Sequence, residues 1–253
     1  MRYEKYFYKG STVLGLSFGI CQVIAWDCAN FGFVKNEKPN FSGFLNHLIP
    51  ELSAYRDDLH EKFTRYSQGD DELAKQIEGG IYNIYLRSFD LNDDAEYSIP
   101  FRVNSLHRKD FELIYEEKLR KYDMDFTNYV RTLLGEYAIK PYYQRELFFC
   151  YRFQKEMQIA IQKKRICRYV NENNITDFIP VAIEQSFLSP GNYLLGISTD
   201  KQTPLILAWR DFNRLRITEQ KSFLEDSDYE LVAKKWVMCQ QEGESSGVWE
   251  QII

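Results

Sequence analysis

The strongest constraint on this chain is an internal repeat. The run Phe41-Ser42-Gly43-Phe44-Leu45-Asn46-His47-Leu48-Ile49-Pro50-Glu51-Leu52 is echoed 85 residues later by Phe126-Thr127-Asn128-Tyr129-Val130-Arg131-Thr132-Leu133-Leu134-Gly135-Glu136-Tyr137. The offset that carries Phe41 onto Phe126 also carries Leu14 onto Ile99, Leu16 onto Phe101 and Phe18 onto Val103. Two separated segments that share one offset define a repeated unit. Such a unit cannot bury its apolar face alone and must pack on its twin.

Each copy reads as strand, helix, helix. Leu14, Leu16 and Phe18 alternate with Gly15 and Ser17, and Ile99, Phe101 and Val103 alternate with Pro100 and Arg102. That is the two-residue period of a strand with one apolar face. Ile20, Val23, Ile24, Asp27 and Phe31 then fall at helical spacing, as do Phe111, Ile114, Tyr115, Leu119 and Tyr122 in the second copy. Gly32 is placed to stop the first helix. A second helix opens near a hydroxyl able to cap it, Ser42 or Thr127. Its apolar stripe is Phe44, Leu45, Leu48, Ile49 and Leu52 in one copy and Tyr129, Val130, Leu133, Leu134 and Tyr137 in the other.

This pattern resembles the ribbon–helix–helix family. There, two units pair their strands into a ribbon whose outward side chains enter a DNA major groove. The single offset predicts that one chain supplies both halves, an intrachain pseudo-dimer. Pairing between two chains, as a homodimer, is the alternative. The outward positions are Val13, Gly15 and Ser17 in one copy and Ser98, Pro100, Arg102 and Asn104 in the other. Only Arg102 and Asn104 are good readers of base edges. Pro100 lacks a ladder donor and is tolerable only where its nitrogen faces outward or at a bulge. The repeats therefore serve either as DNA readers or as a scaffold that reads nothing. Between the copies, Asp70 to Ile77 looks like a helix start that Gly79-Gly80 interrupts, and Leu91 to Glu96 is an acidic, breaker-rich connection.

The second half changes character. After Pro141 a helical stretch runs to about Gln162, with Leu147, Phe148, Tyr151, Phe153 and Met157 apolar. Short strand-like runs follow at Ile166–Val170, Phe178–Ile183, Tyr193–Ser198, Leu205–Trp209 and Leu215–Ile217, separated by turn-forming residues. Five such runs imply a small barrel or sandwich. The entry Ala160-Ile161-Gln162-Lys163-Lys164-Arg165, then Tyr169, Pro180, Asn192-Tyr193-Leu194-Leu195-Gly196 and Arg214-Leu215, resembles the WYL domain, a small Sm-like barrel. Asn192 stands where that family has tryptophan, but Tyr193 and Leu194 are kept. The resemblance implies binding of nucleic acid or a nucleotide-like ligand through Tyr193 and Arg214, with Arg210 less securely aligned. Lys164, Arg165 and Arg168 are further basic candidates from this sequence itself. An aromatic face with guanidinium groups suits an RNA end or loop. The competing reading makes Tyr193 barrel core and the arginines solvated surface. From Phe223 onward one short helix is expected around Leu231, Val232, Trp236 and Val237.

The expected fold class is α+β. Ribbon–helix–helix-like units occupy 1–67 and 96–140, helical connectors 68–95 and 141–162, a WYL-like β-barrel 163–220, and a short extension 221–253. A ribbon–helix–helix ahead of a WYL domain resembles the accessory proteins of type VI-D CRISPR systems, which bind single-stranded RNA and stimulate an RNA-guided RNase. That resemblance implies a non-enzymatic, antiviral-defence protein whose partners are single-stranded RNA and such a nuclease. A dsDNA-binding transcriptional repressor working through Arg102 and Asn104, and a nucleotide sensor, are the alternatives.

Composition narrows the classes further. A net charge of −5 runs against a dedicated duplex-DNA binder, so any nucleic-acid contact must rest on a local basic patch. No run of about 18 apolar residues predicts a membrane span. The start Met1-Arg2-Tyr3-Glu4-Lys5 leads into no apolar leader, so the cytoplasm is expected. The five cysteines form no C-x-x-C pair, so buried reduced thiols are expected, with no metal and no cofactor. Cys21 and Cys28, seven apart, belong to one helix face. Gly15-Leu16-Ser17-Phe18-Gly19 matches the G-x-S-x-G elbow, but that serine needs strands and an oxyanion loop before it, and no histidine follows His107. His47, His60 and His107 make no H-E-x-x-H pair. The expectation is therefore no catalytic residue.

Overall fold

The computed structural model describes residues 12–88, 97–121, 124–171, 174–189 and 191–242. The chain divides into two compact units, residues 1–141 and 142–253. The first unit runs β1 (Thr12–Leu16), α1 (Phe18–Asn30), β2 (Val34–Lys35), β3 (Lys38–Pro39), α2 (Phe41–Tyr66), α3 (Asp71–Ser88), β4 (Tyr97–Phe101), α4 (Arg108–Leu113), α5 (Leu119–Lys121) and α6 (Phe126–Ala138). A π-helical segment, Ile114–Lys118, joins α4 to α5.

The ribbon forms within one chain. β1 and β4 pair antiparallel, with Leu14 opposite Ile99. Those two are also twin positions of the repeat, so a pseudo-twofold axis passes between them. Thr12 accordingly faces Phe101, the twin of Leu16, while Leu16 faces Tyr97, the twin of Thr12. Leu14, Leu16, Ile99 and Phe101 are buried. Both apolar stripes predicted for the second helices are buried along their whole length. Helices α2 and α6 begin at the twin residues Phe41 and Phe126.

Their caps differ from expectation. Asn40 Oδ1 accepts the Gly43 amide at 3.0 Å and Asp125 Oδ1 accepts the Asn128 amide at 3.0 Å. These caps are again twins. Ser42 and Thr127 lie inside the helices, because an Asn or Asp just before the first turn already reaches the free amide. A Cβ at position 43 would sit 2.6 Å from Asn40 Nδ2, so Gly43 makes room for the cap.

Three other expectations are corrected. The first strand ends at Leu16, and Phe18 opens α1, exposed and tilted against Tyr97 at 5.4 Å. β4 ends at Phe101, so Val103 is buried beyond the strand. Gly79-Gly80 does not interrupt α3, which continues to Ser88. Two helical glycines cost roughly 1 kcal/mol each, and α3 offsets this by docking on α2. Ala74 and Glu78 are buried there, and His60 Nδ1 meets Glu78 Oε2 at 2.7 Å. Gly32, at φ +75°, terminates α1 as its position predicts. Tyr122 and the Leu91–Glu96 connection lie outside the described residues.

Buried polar contacts join the copies. Tyr137 Oη donates to Asp27 Oδ2 at 2.6 Å, Ser53 Oγ and Tyr129 Oη are 3.0 Å apart, and Arg56 Nη1 donates to Thr132 Oγ1 at 3.2 Å.

The second unit runs α7 (Tyr142–Phe149), α8 (Tyr151–Gln162), β5 (Arg165–Asn171), β6 (Asn174–Gln185), β7 (Asn192–Ser198), β8 (Pro204–Ala208), a 3-10 turn (Trp209–Arg214), β9 (Leu215–Lys221) and α9 (Asp226–Glu242). The five strands form one antiparallel sheet in the order β8-β7-β6-β5-β9. Among the described residues this sheet is open and no ladder joins β8 to β9, so the closed barrel expected from the sequence is not formed. The crossover between those edges turns inward instead. Trp209 is fully buried, packs on Phe153 at 5.8 Å and donates its indole N–H to Cys150 Sγ at 3.0 Å.

Each face of the sheet has its own core. Met157, Cys167, Tyr169, Phe178, Leu194 and Leu215 pack together on one face. Ile179, Leu195, Ile197, Ile206, Val232 and Cys239 pack on the other, beneath α9. Pro180 sits where the β6–β7 register shifts, opposite Gly196; a residue without an N–H is tolerated at such an irregularity. All five cysteines are buried, and none forms a disulfide. No described helix is long and apolar enough to cross a membrane.

Candidate functional site

The sequence singles out Arg102 and Asn104 in the first unit, and the structure puts both past the end of β4. Their backbone is clamped by the opposite copy. Ser42 Oγ donates to the Arg102 carbonyl at 3.2 Å, Asn46 Nδ2 donates to the same carbonyl at 2.7 Å, and Asn46 Oδ1 accepts the Asn104 amide at 2.9 Å. Asn104 Oδ1 accepts the His107 amide at 3.0 Å, so that side chain is occupied in turning the chain into α4. Across the pseudo-twofold, Arg131, the twin of Asn46, donates from Nε to the Gly15 carbonyl at 2.8 Å. These contacts fix the ribbon on its helices. The ladder itself presents Val13, Ser98 and Pro100 outward, a poor set for reading bases.

In the second unit the sheet separates the implied residues. Tyr193 lies under α9, its ring 5.5 Å from Trp236 and its hydroxyl 2.9 Å from Ser189 Oγ. Arg214 is exposed and donates from Nη1 to the Tyr169 hydroxyl at 3.4 Å. Tyr169 belongs to the core of the opposite face, so Tyr193 and Arg214 do not converge. Arg210 is exposed on the 3-10 turn. Lys164 places Nζ 5.8 Å from the Tyr229 ring centroid, and Arg165 lies 3.4 Å from Glu219. Arg168 donates twice to Asp177, at 2.7 and 2.9 Å. That guanidinium holds the Asp177 carboxyl below the usual carboxylate range. Arg165 and Arg168 thus face carboxylates on neighbouring strands.

Asn192, which the sequence resemblance aligns with a signature tryptophan, is buried. Its Nδ2 donates to the Tyr143 carbonyl at 2.7 Å and to Glu146 Oε2 at 2.8 Å, and its backbone amide donates to the same carboxylate oxygen at 2.6 Å. It ties β7 to α7 and offers nothing to a ligand. Gly196 is structural as well, since a Cβ there would lie 2.7 Å from the Ile179 carbonyl oxygen.

What the sequence reading missed is a cavity of about 830 Å3 at one end of the sheet. Asn171 and Asn174 border it from the β5–β6 connection, Asp200 and Lys201 from the β7–β8 turn, and Tyr169 from the sheet. Helix α9 closes the remaining side with Leu231, Lys234, Lys235 and Met238. Those four recur at helical spacing on one face, while Val232, Trp236 and Cys239 turn to the sheet. Among the described residues Lys201, Lys234 and Lys235 enter no ion pair, and Asp200 is the only carboxylate of the lining. The volume falls in the roughly 300–1,000 Å3 range of small-ligand sites. Among the described residues no group of three or more His, Cys, Asp or Glu could hold a metal ion.

A solved structure described as a CRISPR Cas-related protein matches with a TM-score of 0.53 and 15% identity, over 88% of this chain and 66% of that one. The two share a fold. The present chain spans about two thirds of the other's length. No protein-family model and no curated protein matches the sequence.

Proposed function

We propose that this chain is a non-enzymatic accessory protein of a CRISPR-type defence system, binding single-stranded RNA and stimulating an RNA-guided RNase. The observation that carries the reading is the lysine-lined cavity of the second unit. On a chain of net charge −5, three lysines that enter no ion pair among the described residues form a local attractor for polyanions. The amide and hydroxyl groups beside them suit the exposed edges of unpaired bases. The fold shared with a CRISPR Cas-related protein supports the biological setting.

In this reading the repeated units are a ribbon–helix–helix pair used as a scaffold, since their outward residues are poor base readers. The second unit is a WYL-type module with an open sheet, its ligand chemistry moved from the signature tyrosine to the cavity.

The test is fluorescence anisotropy of labelled single-stranded RNA, single-stranded DNA and duplex DNA across a salt series. Single-stranded RNA should bind best, with affinity falling as salt rises. Lys234→Glu with Lys235→Glu should weaken binding, while Arg102→Ala should not. Tighter binding of duplex DNA, lost on Arg102→Ala, would instead establish a repressor. Adding the protein to the RNA-guided RNase of the same genome should raise its cleavage rate.

A further inference from the structure

We infer that the cavity receives a single phosphate-bearing nucleotide, presented as the terminus of the bound RNA rather than as an internal stretch of strand. The inference rests on the RNA-binding reading above and deepens it. A surface that tracks a polymer does so along a groove, at about 4–16 nucleotides for a small barrel. Here the basic and apolar groups are gathered into one cavity of about 830 Å3.

The lining has the two-sided character of a nucleotide. Ile175, Leu231 and Met238 all border the cavity and are 64%, 42% and 40% exposed. Large apolar side chains clustered in the open mark a surface that something covers. A base is flat and apolar on its faces, and it can lie on these side chains. Lys201, Lys234 and Lys235 supply ammonium groups to a phosphate. A terminal phosphomonoester carries more charge than an internal diester, and its extra oxygens accept more of the lysines' donors. Asn171, Asn174 and the Asp200 carboxylate can meet base-edge or ribose groups. An acidic peptide would use the lysines but would leave the exposed apolar wall uncovered.

The experiment uses the full chain and single-stranded RNAs of one sequence. They carry a 5′-phosphate, a 3′-phosphate or hydroxyls at both ends, or are closed into a circle. Nucleoside monophosphate, inorganic phosphate and polyglutamate serve as competitors. One phosphorylated end should bind about tenfold tighter than the hydroxyl and circular forms, as one charge-assisted contact set implies. Nucleoside monophosphate should compete, and inorganic phosphate should compete less well. Lys234→Glu with Lys235→Glu should erase the preference without changing the thermal melt, and Ile175→Asp should weaken nucleoside monophosphate more than inorganic phosphate.

Equal binding of circular and phosphorylated RNA would overturn the terminus inference and leave RNA binding standing. Binding of nucleoside monophosphate with no RNA affinity would uphold the nucleotide site and overturn the RNA-binding function. Polyglutamate competing as well as the nucleotide, or indifference to the lysine changes, would overturn the site itself.

Discussion

Replacing Tyr137 by phenylalanine removes one oxygen from the centre of the first unit, and the structure sets how much that costs. The hydroxyl donates to Asp27 Oδ2 at 2.6 Å, and both residues are fully buried. Removing a donor from a buried carboxylate that water cannot reach costs about 1.5–3 kcal/mol, or roughly a 10- to 150-fold change in an opening equilibrium.

The pair is one-sided. The twin of Tyr137 is Leu52, and the twin of Asp27 is Glu112, which forms a surface ion pair with Arg108 at 2.9 Å. Tyr129, which meets Ser53 at 3.0 Å, has Phe44 as its twin, without a hydroxyl. Pairing two first copies, as a homodimer would, sets Asp27 against Leu52 and Ser53 against Phe44. These contacts favour the intrachain pairing over pairing of two first copies, as buried polar groups do when they select a register.

Hydrogen exchange read by mass spectrometry on peptides covering 18–30 and 126–138 measures the loss directly. Tyr137→Phe should lower their protection by that factor, and the cost of Tyr137→Phe should shrink in an Asp27→Leu background, where the hydroxyl no longer faces a carboxylate. A loss under about twofold, or an equal loss in the Asp27→Leu background, would refute the reasoning. Sedimentation should give a monomer near 30.1 kDa.

Three further outcomes follow from the second unit and the thiols. Gly196→Ala places a Cβ 2.7 Å from the Ile179 carbonyl oxygen and 2.7 Å from Phe178 Cδ2. Urea unfolding of the second unit should show a loss of about 1–3 kcal/mol, and an unchanged midpoint would refute the close packing. Burial pushes the Cys28 and Cys167 thiols up to about 12, with Asp27 adding to the effect at Cys28. All five thiols are buried and should resist a thiol reagent in the native protein and react on unfolding; stoichiometric native labelling would contradict this. The Asp177 carboxyl is depressed by Arg168, so its contribution to stability is present above the ordinary carboxylate range and is lost as pH falls through the depressed folded value. Arg168→Ala should move the NMR-detected titration of Asp177 upward and remove that acid-side dependence.

Local and repeated features were legible in the residues alone. The period of two around Leu14 and Ile99 places the ribbon strands, and the spacing of Phe44 to Leu52 and of Tyr129 to Tyr137 marks two buried helix stripes. Alternation in the second half locates five strands. Each of these signals depends on near neighbours along the chain, where apolar periodicity reports one buried face.

Other features depend on residues far apart in sequence, and only the tertiary structure decided them. That β1 pairs with β4 of its own chain follows from contacts such as Asp27 with Tyr137, 110 residues apart. That α3 runs through Gly79-Gly80 follows from its docking on α2. The open sheet follows from Trp209 turning inward between its edges. Tyr193 and Arg214 are both implied as binders by motif, yet Tyr193 packs beneath α9 while Arg214, at the end of the 3-10 turn, reaches Tyr169 in the core of the opposite face. The cavity arises where two turns meet the Leu231–Met238 face of α9, a convergence that no local pattern encodes. The repeat thus specified two twin units with one buried face each by periodicity alone, while the cavity of the second unit was set by packing at one end of its own sheet.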